Sequence, residues 1–370
     1  MSDKPKHIVI DARVRQASTG RYTDRLIENL QKIDKTNRYT ILVQPDDDWQ
    51  MQNPNFRTVV CRFEQFSLNP LDQILFPFQL YRLKPDLVHF TMTQQPLLYF
   101  GRIVTTTHDL TMFEYARAGK FPQWFHVIRM VLYRFLLWWS HKKSRRIIVP
   151  TEYVREDLAK HQPFAKKKLV ITNEASDPPI ARAGERPENV PDNFIFFVGR
   201  AFPHKNLHRL VDAFEILNKK HSGLHLLLAG KKEYYYKNLD EYIRKSPAAD
   251  NIHTLGYINE SQLKWLYGHA RAYIFPSLSE GFGLPGLEAM AHDCPVVSSN
   301  ATCLPEVYGD AVEYFDPKNT EAMAEAIEKV ITDEKLAKKL VEEGRKRLRK
   351  YSWQKTAEQT LGIYDSVLSD

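Results

Sequence analysis

The residues best suited to chemistry lie in one stretch, Phe275-Pro-Ser-Leu-Ser-Glu280-Gly-Phe-Gly-Leu-Pro-Gly-Leu-Glu288. Two carboxylates flank a loop made supple by Gly281 and Gly283, and Pro285 then opens a helix, as proline does at a first helical position. Backbone N–H groups at a helix start bind anions. Placed in the first turn, Glu288 faces the same anion and can accept two hydrogen bonds from a vicinal diol such as a ribose. Glu280, before the loop, is placed to meet sugar hydroxyls or a developing cation. A glycine-rich turn with two solvated glutamates is the plainer reading of the two acids alone. The complete segment favours a binding site.

A second cluster is basic. Val198-Gly199-Arg200 is followed by His204-Lys205-Asn206. Arg200 and Lys205 stand at a strand end and a helix start, and two cations beside helix N–H groups suit a pyrophosphate. His108 and Asp109 follow the apolar run Ile103–Thr107. A lone histidine at a strand end is commonly structural, and His89 at another strand end is read as core. Asp109 could orient the His108 ring or cap the next segment. Ala17-Ser18-Thr19-Gly20-Arg21-Tyr22 joins the first strand to the first helix.

The Glu280–Glu288 segment resembles the Glu-x7-Glu signature of retaining GT-B glycosyltransferases, in particular glycosyltransferase family 4. The resemblance extends over nearly the whole chain. Arg200 and Lys205 match a Gly-Arg…Lys-Asn element that grips the donor diphosphate. His108 matches a histidine close to donor sugar and acceptor. Residues 17–22 resemble the Gly-Ile-Gly-Arg-Tyr loop of mannosyltransferase-like members, with Ser18 in place of the first glycine. Thr302 to Glu306 resembles an element shaping the donor pocket wall. Thr172-Asn173-Glu174 stands where many members have Asn-Gly.

The resemblance implies transfer of a hexose, with retention, from a nucleoside-diphosphate sugar. GDP-mannose is the first choice of donor, and a glycan or lipid-linked molecule the acceptor. Expected catalytic residues are His108, Glu280, Arg200 and Lys205. Donor binding falls to Gly20, Phe282, Gly283, Leu284 and Glu288, with Asp109 and Arg21 as further candidates. No obvious nucleophile is present, so front-face attack is implied. No metal or other cofactor is expected, because Arg200, Lys205 and a helix start can neutralise a leaving diphosphate. UDP-hexose transfer, a same-fold epimerase or phosphorylase, and a non-catalytic nucleotide-sugar module are the rivals.

The elements that must position these groups are legible as alternation. β-branched runs at His7–Asp11, Tyr39–Val43, Thr58–Val60, Leu87–Thr91, Ile103–Thr107, Arg146–Pro150 and Lys168–Thr172 alternate with helical periodicity, as in Gly20–Ile33. A second set follows at Phe194–Val198, Leu224–Ala229, Ile252–Leu255, Ala272–Pro276 and Pro295–Ser298. Such alternation means βαβ units and parallel sheets. Asn259 and Ser352 read as helix N-caps. The expected α/β architecture is a GT-B fold. Two Rossmann-like domains, 1–175 and 193–350, face across a cleft. A Pro-rich linker covers 176–192, and a helix in 351–370 crosses back to the first domain.

Composition narrows the classes. The chain has 370 residues, 43% apolar and 26% charged, enough for two buried cores. Three cysteines without a C-x-x-C pair exclude a disulfide scaffold and favour a reducing, cytoplasmic setting. No apolar run reaches the roughly 20 residues of a membrane span. A net charge of +7 favours acidic partners, but no nucleic-acid signature accompanies it. Asp46-Asp47-Asp48 reads as a solvated loop rather than a metal site. Phe121–Arg146 is an aromatic, basic helix. It either packs on the sheet or touches an anionic membrane or lipid-linked acceptor as a peripheral contact.

Overall fold

The computed structural model describes residues 4–15, 20–63, 70–115, 123–177 and 184–370. The expectations at Ser18 and at the linker prolines Pro178 and Pro179 lie outside these residues. The chain divides into two units, one of 1–110, 121–174 and 352–370, the other of 111–120 and 175–351.

In the first unit, β1 (His7–Asp11), α1 (Gly20–Ile33), β2 (Arg38–Val43), β3 (Phe56–Val60), α2 (Pro70–Leu83), β4 (Leu87–Phe90) and β5 (Ile103–Thr106) follow one another. After α3 (Thr111–Glu114), which belongs to the second unit, come α4 (Gln123–Lys143), β6 (Arg146–Val149), α5 (Glu152–His161) and β7 (Leu169–Ile171). The seven strands form one parallel sheet in the order β3-β2-β1-β4-β5-β6-β7.

The reason is burial. Ile8, Val9 and Ile10, with Leu87 and Val88 beside them, are fully enclosed, as a sheet covered on both faces requires. Tyr22, Leu26, Ile27 and Leu30 turn the apolar face of α1 inward. Thr151 caps α5 by accepting the Val154 amide at 3.2 Å.

The second unit runs β8 (Phe194–Val198), α6 (Leu207–Lys220), β9 (His225–Ala229), α7 (Tyr234–Ile243), β10 (Ile252–Gly256), α8 (Glu260–His269), β11 (Ala272–Phe275), α9 (Leu284–Ala291), β12 (Val296–Ser299), α10 (Leu304–Tyr308), β13 (Glu313–Phe315), α11 (Thr320–Thr332) and α12 (Glu334–Leu348). Its six parallel strands are ordered β10-β9-β8-β11-β12-β13. Asn259 caps α8 with a reciprocal bond to Gln262, a capping box.

The last helix, α13 (Trp353–Ser369), returns to the first unit. Ser352 caps it. It packs against α1 and β4, where the Tyr364 hydroxyl lies 2.6 Å from Nδ1 of His89.

In each sheet the strand order reverses beside its first strand, between β1 and β4 and between β8 and β11. Ligands of open α/β sheets bind at the carboxyl ends of the strands at such a switch point. The loop after β8 carries Arg200 and Lys205, and the loop after β11 carries Glu280. Topology therefore brings residues far apart in sequence to one sheet edge. No helix among the described residues is long and apolar enough to cross a membrane.

Candidate functional site

In the second unit, Lys205 Nζ lies 2.5 Å from Glu280 Oε1, with both side chains mostly buried. Lys205 comes from a single 3₁₀ turn, Pro203–Lys205, that ends at Asn206 in the left-handed conformation (φ 59°, ψ 31°). Asn206 Nδ2 donates to the carbonyls of Pro276 and Pro317, at 3.1 and 2.8 Å. The turn carrying Lys205 is thereby fastened to the end of β11, which leads to Glu280.

Glu280 is held from the other side by the segment leading into α10. Its amide donates to Thr302 Oγ1 at 3.1 Å, and its carbonyl lies 3.3 Å from the Cys303 sulfur. Burial first, and the Glu280 charge next, push the Cys303 thiol well above its ordinary range. It stays protonated and donates to that carbonyl.

The loop then turns at Gly283, the N-cap of α9, with φ 94° and ψ 42°. A side chain there is strained by its backbone angles. Added bulk would also meet the Tyr308 hydroxyl at 2.5 Å. That hydroxyl donates to Gly283 O at 2.5 Å. Tyr308 thus fixes the loop and the start of α9 as one piece. The Phe282 side chain is buried edge-on to Tyr351, 5.4 Å between ring centres.

One placement differs from the sequence expectation. Leu284 is the first residue of α9, so Pro285 is its second. Glu288 is the fifth, one turn in rather than in the first turn, and its Oε2 lies 3.4 Å from the Tyr267 hydroxyl. Arg200 and Lys205 each face a carboxylate of their own. Arg200 is half-exposed, 3.8 Å from Glu233 and 5.7 Å above the Phe202 ring, while Lys205 pairs with Glu280.

In the first unit, His108 follows β5 and is largely buried. Its Nδ1 lies 2.9 Å from Glu174 Oε1 and its Nε2 3.0 Å from the Thr91 carbonyl oxygen. An ionised carboxylate and a carbonyl only accept. Two flanking acceptors favour the doubly protonated form of the ring. Burial alone would lower its pKa, but the hydrogen bond and charge of Glu174 outweigh it and raise the pKa above the ordinary value. Neither ring nitrogen is left over for a sugar hydroxyl in this arrangement.

Tyr22 of α1 packs edge-on to the ring at 4.8 Å. Its hydroxyl lies 3.1 Å from Thr106, which lies 2.8 Å from His89 Nε2. His89 is buried in this chain of contacts, and burial together with the nearby His108 drops its pKa to about 3. Glu174, the departure from Asn-Gly at that place in the chain, is the partner that sequence reasoning missed. No motif announces it, because the two residues meet only through β5, β6 and β7 lying side by side.

Gly20 opens α1. A Cβ there would sit 1.8 Å from the Arg15 carbonyl oxygen, so the chain's own close approach demands glycine. Arg15 in turn pairs with Asp24 and Asp47, each at 2.5 Å, and lies 3.7 Å above the Trp49 ring. Asp47 is therefore an anchored, mostly buried carboxylate and not a solvated one. Asp46 and Asp48 are exposed. Arg21 and Asp109 are half-buried. Among the described residues no three His, Cys, Asp or Glu side chains gather to hold a metal.

Residues 19–175 match the family model described as Glycosyltransferase Family 4, and residues 182–347 match Glycosyl transferases group 1. O-antigen chain mannosyltransferase B of Escherichia coli is 28% identical over 71% of this chain and 70% of its own length. O-antigen chain mannosyltransferase RfbU of Salmonella typhimurium is 27% identical over 61% of this chain and 60% of its own length. In the second case the match spans less than two thirds of the relative. Sucrose-phosphate synthase from Thermosynechococcus elongatus superposes over 98% of this chain and 99% of its own, with a TM-score of 0.77 at 19% identity.

Proposed function

The chain belongs to the family 4 glycosyltransferases of GT-B fold, and on that premise we propose that it transfers mannose from GDP-mannose, with retention and without a metal, to a glycan or lipid-linked acceptor. The observation that carries the proposal is the Lys205–Glu280 pair at the switch point of the second sheet, beside the N-terminus of α9. A cation, a carboxylate and helix N–H groups at one strand edge match a sugar diphosphate, which has hydroxyls at one end and negative charge at the other.

Mannosyl C1 loses its bond to the diphosphate oxygen, which leaves with the electron pair. The acceptor oxygen forms its bond to C1 on the same face, and its proton passes to the departing phosphate. Lys205, Arg200 and the start of α9 stabilise the charge that develops on the leaving group. Glu280 is assigned to the mannose hydroxyls and Glu288 to the ribose. His108, its pKa raised by Glu174, is assigned an electrostatic role rather than that of a proton acceptor.

The mannosyl assignment draws support from the two O-antigen mannosyltransferases named above. We further propose cytoplasmic operation at a membrane surface, touched through residues 121–146. The testing experiment is a thermal-shift screen of nucleotide sugars with and without EDTA, because a ligand bound only by the native state stabilises it by RT ln(1 + [L]/Kd). GDP-mannose should raise the melting temperature more than any UDP-hexose, and EDTA should leave the shift intact.

A further inference from the structure

Helix α4 is apolar on its outer side. Val127, Val131, Phe135 and Trp138 recur at helical spacing, and all are exposed, Val131 to 64%. Leu137, Ser140 and His141 are the residues it buries. The helix thus packs through one face and leaves apolar side chains exposed on the other. An outward apolar stripe of this kind reverses the ordinary pattern of a globular surface helix.

The stripe is not isolated. Helix α2 buries Phe76 and Leu80 yet exposes Ile74, Leu75 and Phe78, the last to 59%. The β4–β5 loop joins the two helices. The Phe100 amide donates to the Tyr81 hydroxyl of α2 at 3.0 Å, and the Trp139 indole of α4 donates to the Leu97 carbonyl at 3.0 Å. Phe100 is 62% exposed and Leu98 49%. Lys143 pins the loop from below by donating to the carbonyls of Pro96, Leu97 and Tyr99. These bonds link the exposed apolar residues of α2, the β4–β5 loop and α4 on the first unit.

The charged residues of α4 are all basic. Between Glu114 and Glu152 the sequence has no Asp or Glu, against eight Lys or Arg. The cations are built onto the exposed rings. Arg82 lies 5.5 Å from the Phe78 ring centre and Lys142 5.4 Å from Phe164. Lys166 and Lys167 stand exposed beside Phe164 in sequence.

We propose that α2, the β4–β5 loop, α4 and Phe164 form a single docking face for an anionic lipid bilayer, with the aromatic and aliphatic side chains entering the headgroup boundary and the cations meeting lipid phosphate. This inference rests on the peripheral contact proposed above for residues 121–146 and extends it to a second helix. Charge complementarity selects the occupant. A second copy docking by this same patch would bring like charges together, since a two-fold interface pairs a surface with itself. A bilayer with anionic headgroups supplies both an apolar phase and counter-charge.

The test is co-sedimentation of the full chain with sucrose-loaded vesicles of phosphatidylcholine and phosphatidylglycerol in equal parts, beside vesicles of phosphatidylcholine alone. The wild type should bind the anionic vesicles, and added salt should weaken binding by screening. Phe78→Glu on α2 and Val131→Glu on α4 should each reduce binding by about tenfold or more, with unchanged melting temperature. Phe78→Trp should retain binding. GDP-mannose transfer to a soluble oligosaccharide is measured in parallel without vesicles and should be equal in all variants.

Absence of wild-type binding, or loss in Val131→Glu with none in Phe78→Glu, overturns the composite face. So does a dimer in sedimentation velocity that both glutamate variants dissolve. Transfer without vesicle binding sinks the face and leaves the transferase reading standing. Vesicle binding without transfer sinks that reading and supports the face.

Discussion

Lys205 Nζ and Glu280 Oε1 stand 2.5 Å apart across the switch point of the second sheet, although 75 positions separate them in the chain. Each neutralises the other's charge in a mostly buried setting, so the two cannot be treated as independent binding groups. Removing one partner of a buried pair leaves the other uncompensated, which costs about 3–5 kcal/mol.

It follows that Glu280→Ala loses both activity and stability, whereas Glu280→Gln keeps a hydrogen-bond acceptor for Lys205 and isolates the chemistry. Glu280→Gln should lower kcat by at least about 10²-fold, the scale of losing one electrostatic stabiliser, with a smaller fall in melting temperature than Glu280→Ala. Steady-state kinetics beside calorimetry checks this. Unchanged turnover removes Glu280 from the site.

Arg200 and Lys205 should behave differently from each other. The Arg200–Glu233 pair is exposed and 3.8 Å long, and such pairs contribute about 0–1 kcal/mol. Arg200→Ala should weaken GDP binding with little effect on stability, whereas Lys205→Ala should do both. In a double-variant cycle the losses in GDP affinity should be non-additive if both serve one diphosphate. Additive losses would place the two cations on separate groups.

Tyr308→Phe should loosen the Gly283 turn. It deletes one donor to a loop carbonyl, a change of about 0.5–1.5 kcal/mol in stability, and should raise KM for the donor more than it lowers kcat. A KM equal to the wild-type value would show that the loop holds its shape without this bond.

The histidines give opposite pH signatures. The folded pKa of His108 lies above its unfolded value, so its contribution is fully present below about pH 6.5 and is lost as pH rises through the raised folded value. His89 and His141 fall to about 3 and about 4, burial being the leading cause. Their contributions are present above about pH 6.5 and are lost as pH falls toward those values. Glu174→Gln should bring the His108 titration down, visible in its imidazole NMR shifts, and flatten stability on the alkaline side only. A His108 titration unmoved by Glu174→Gln would refute the imidazolium assignment.

Much of the architecture was legible because parallel strands advertise themselves as short β-branched runs. Twelve runs in sequence correspond to β1 through β12. Strand β13, Glu-Tyr-Phe, has no β-branched residue to announce it. Helix α2 escaped notice because it is apolar inward and outward, so no face stands out, and Pro77 lies within it. The donor-side motif residues fell at one sheet edge because strand–loop–helix order places them there. What could not be read were the partners. Glu174 beside His108, Tyr308 beneath Gly283 and Asp47 beside Arg15 arise from chain segments that meet only after folding. The placement of Glu288 failed by one residue, enough to take it out of the first turn, because the helix start is set by Gly283 and not by Pro285.

The central claim is that this chain moves mannose from GDP-mannose with retention, and product analysis tests it most directly. The purified chain is incubated with GDP-mannose, an oligosaccharide or lipid-linked acceptor, and EDTA, and the new linkage is read by NMR. The account predicts an α-mannoside with one GDP released per bond formed, and no product from Glu280→Gln. A β-anomer, transfer from a UDP-hexose alone, or full product from Glu280→Gln would contradict it.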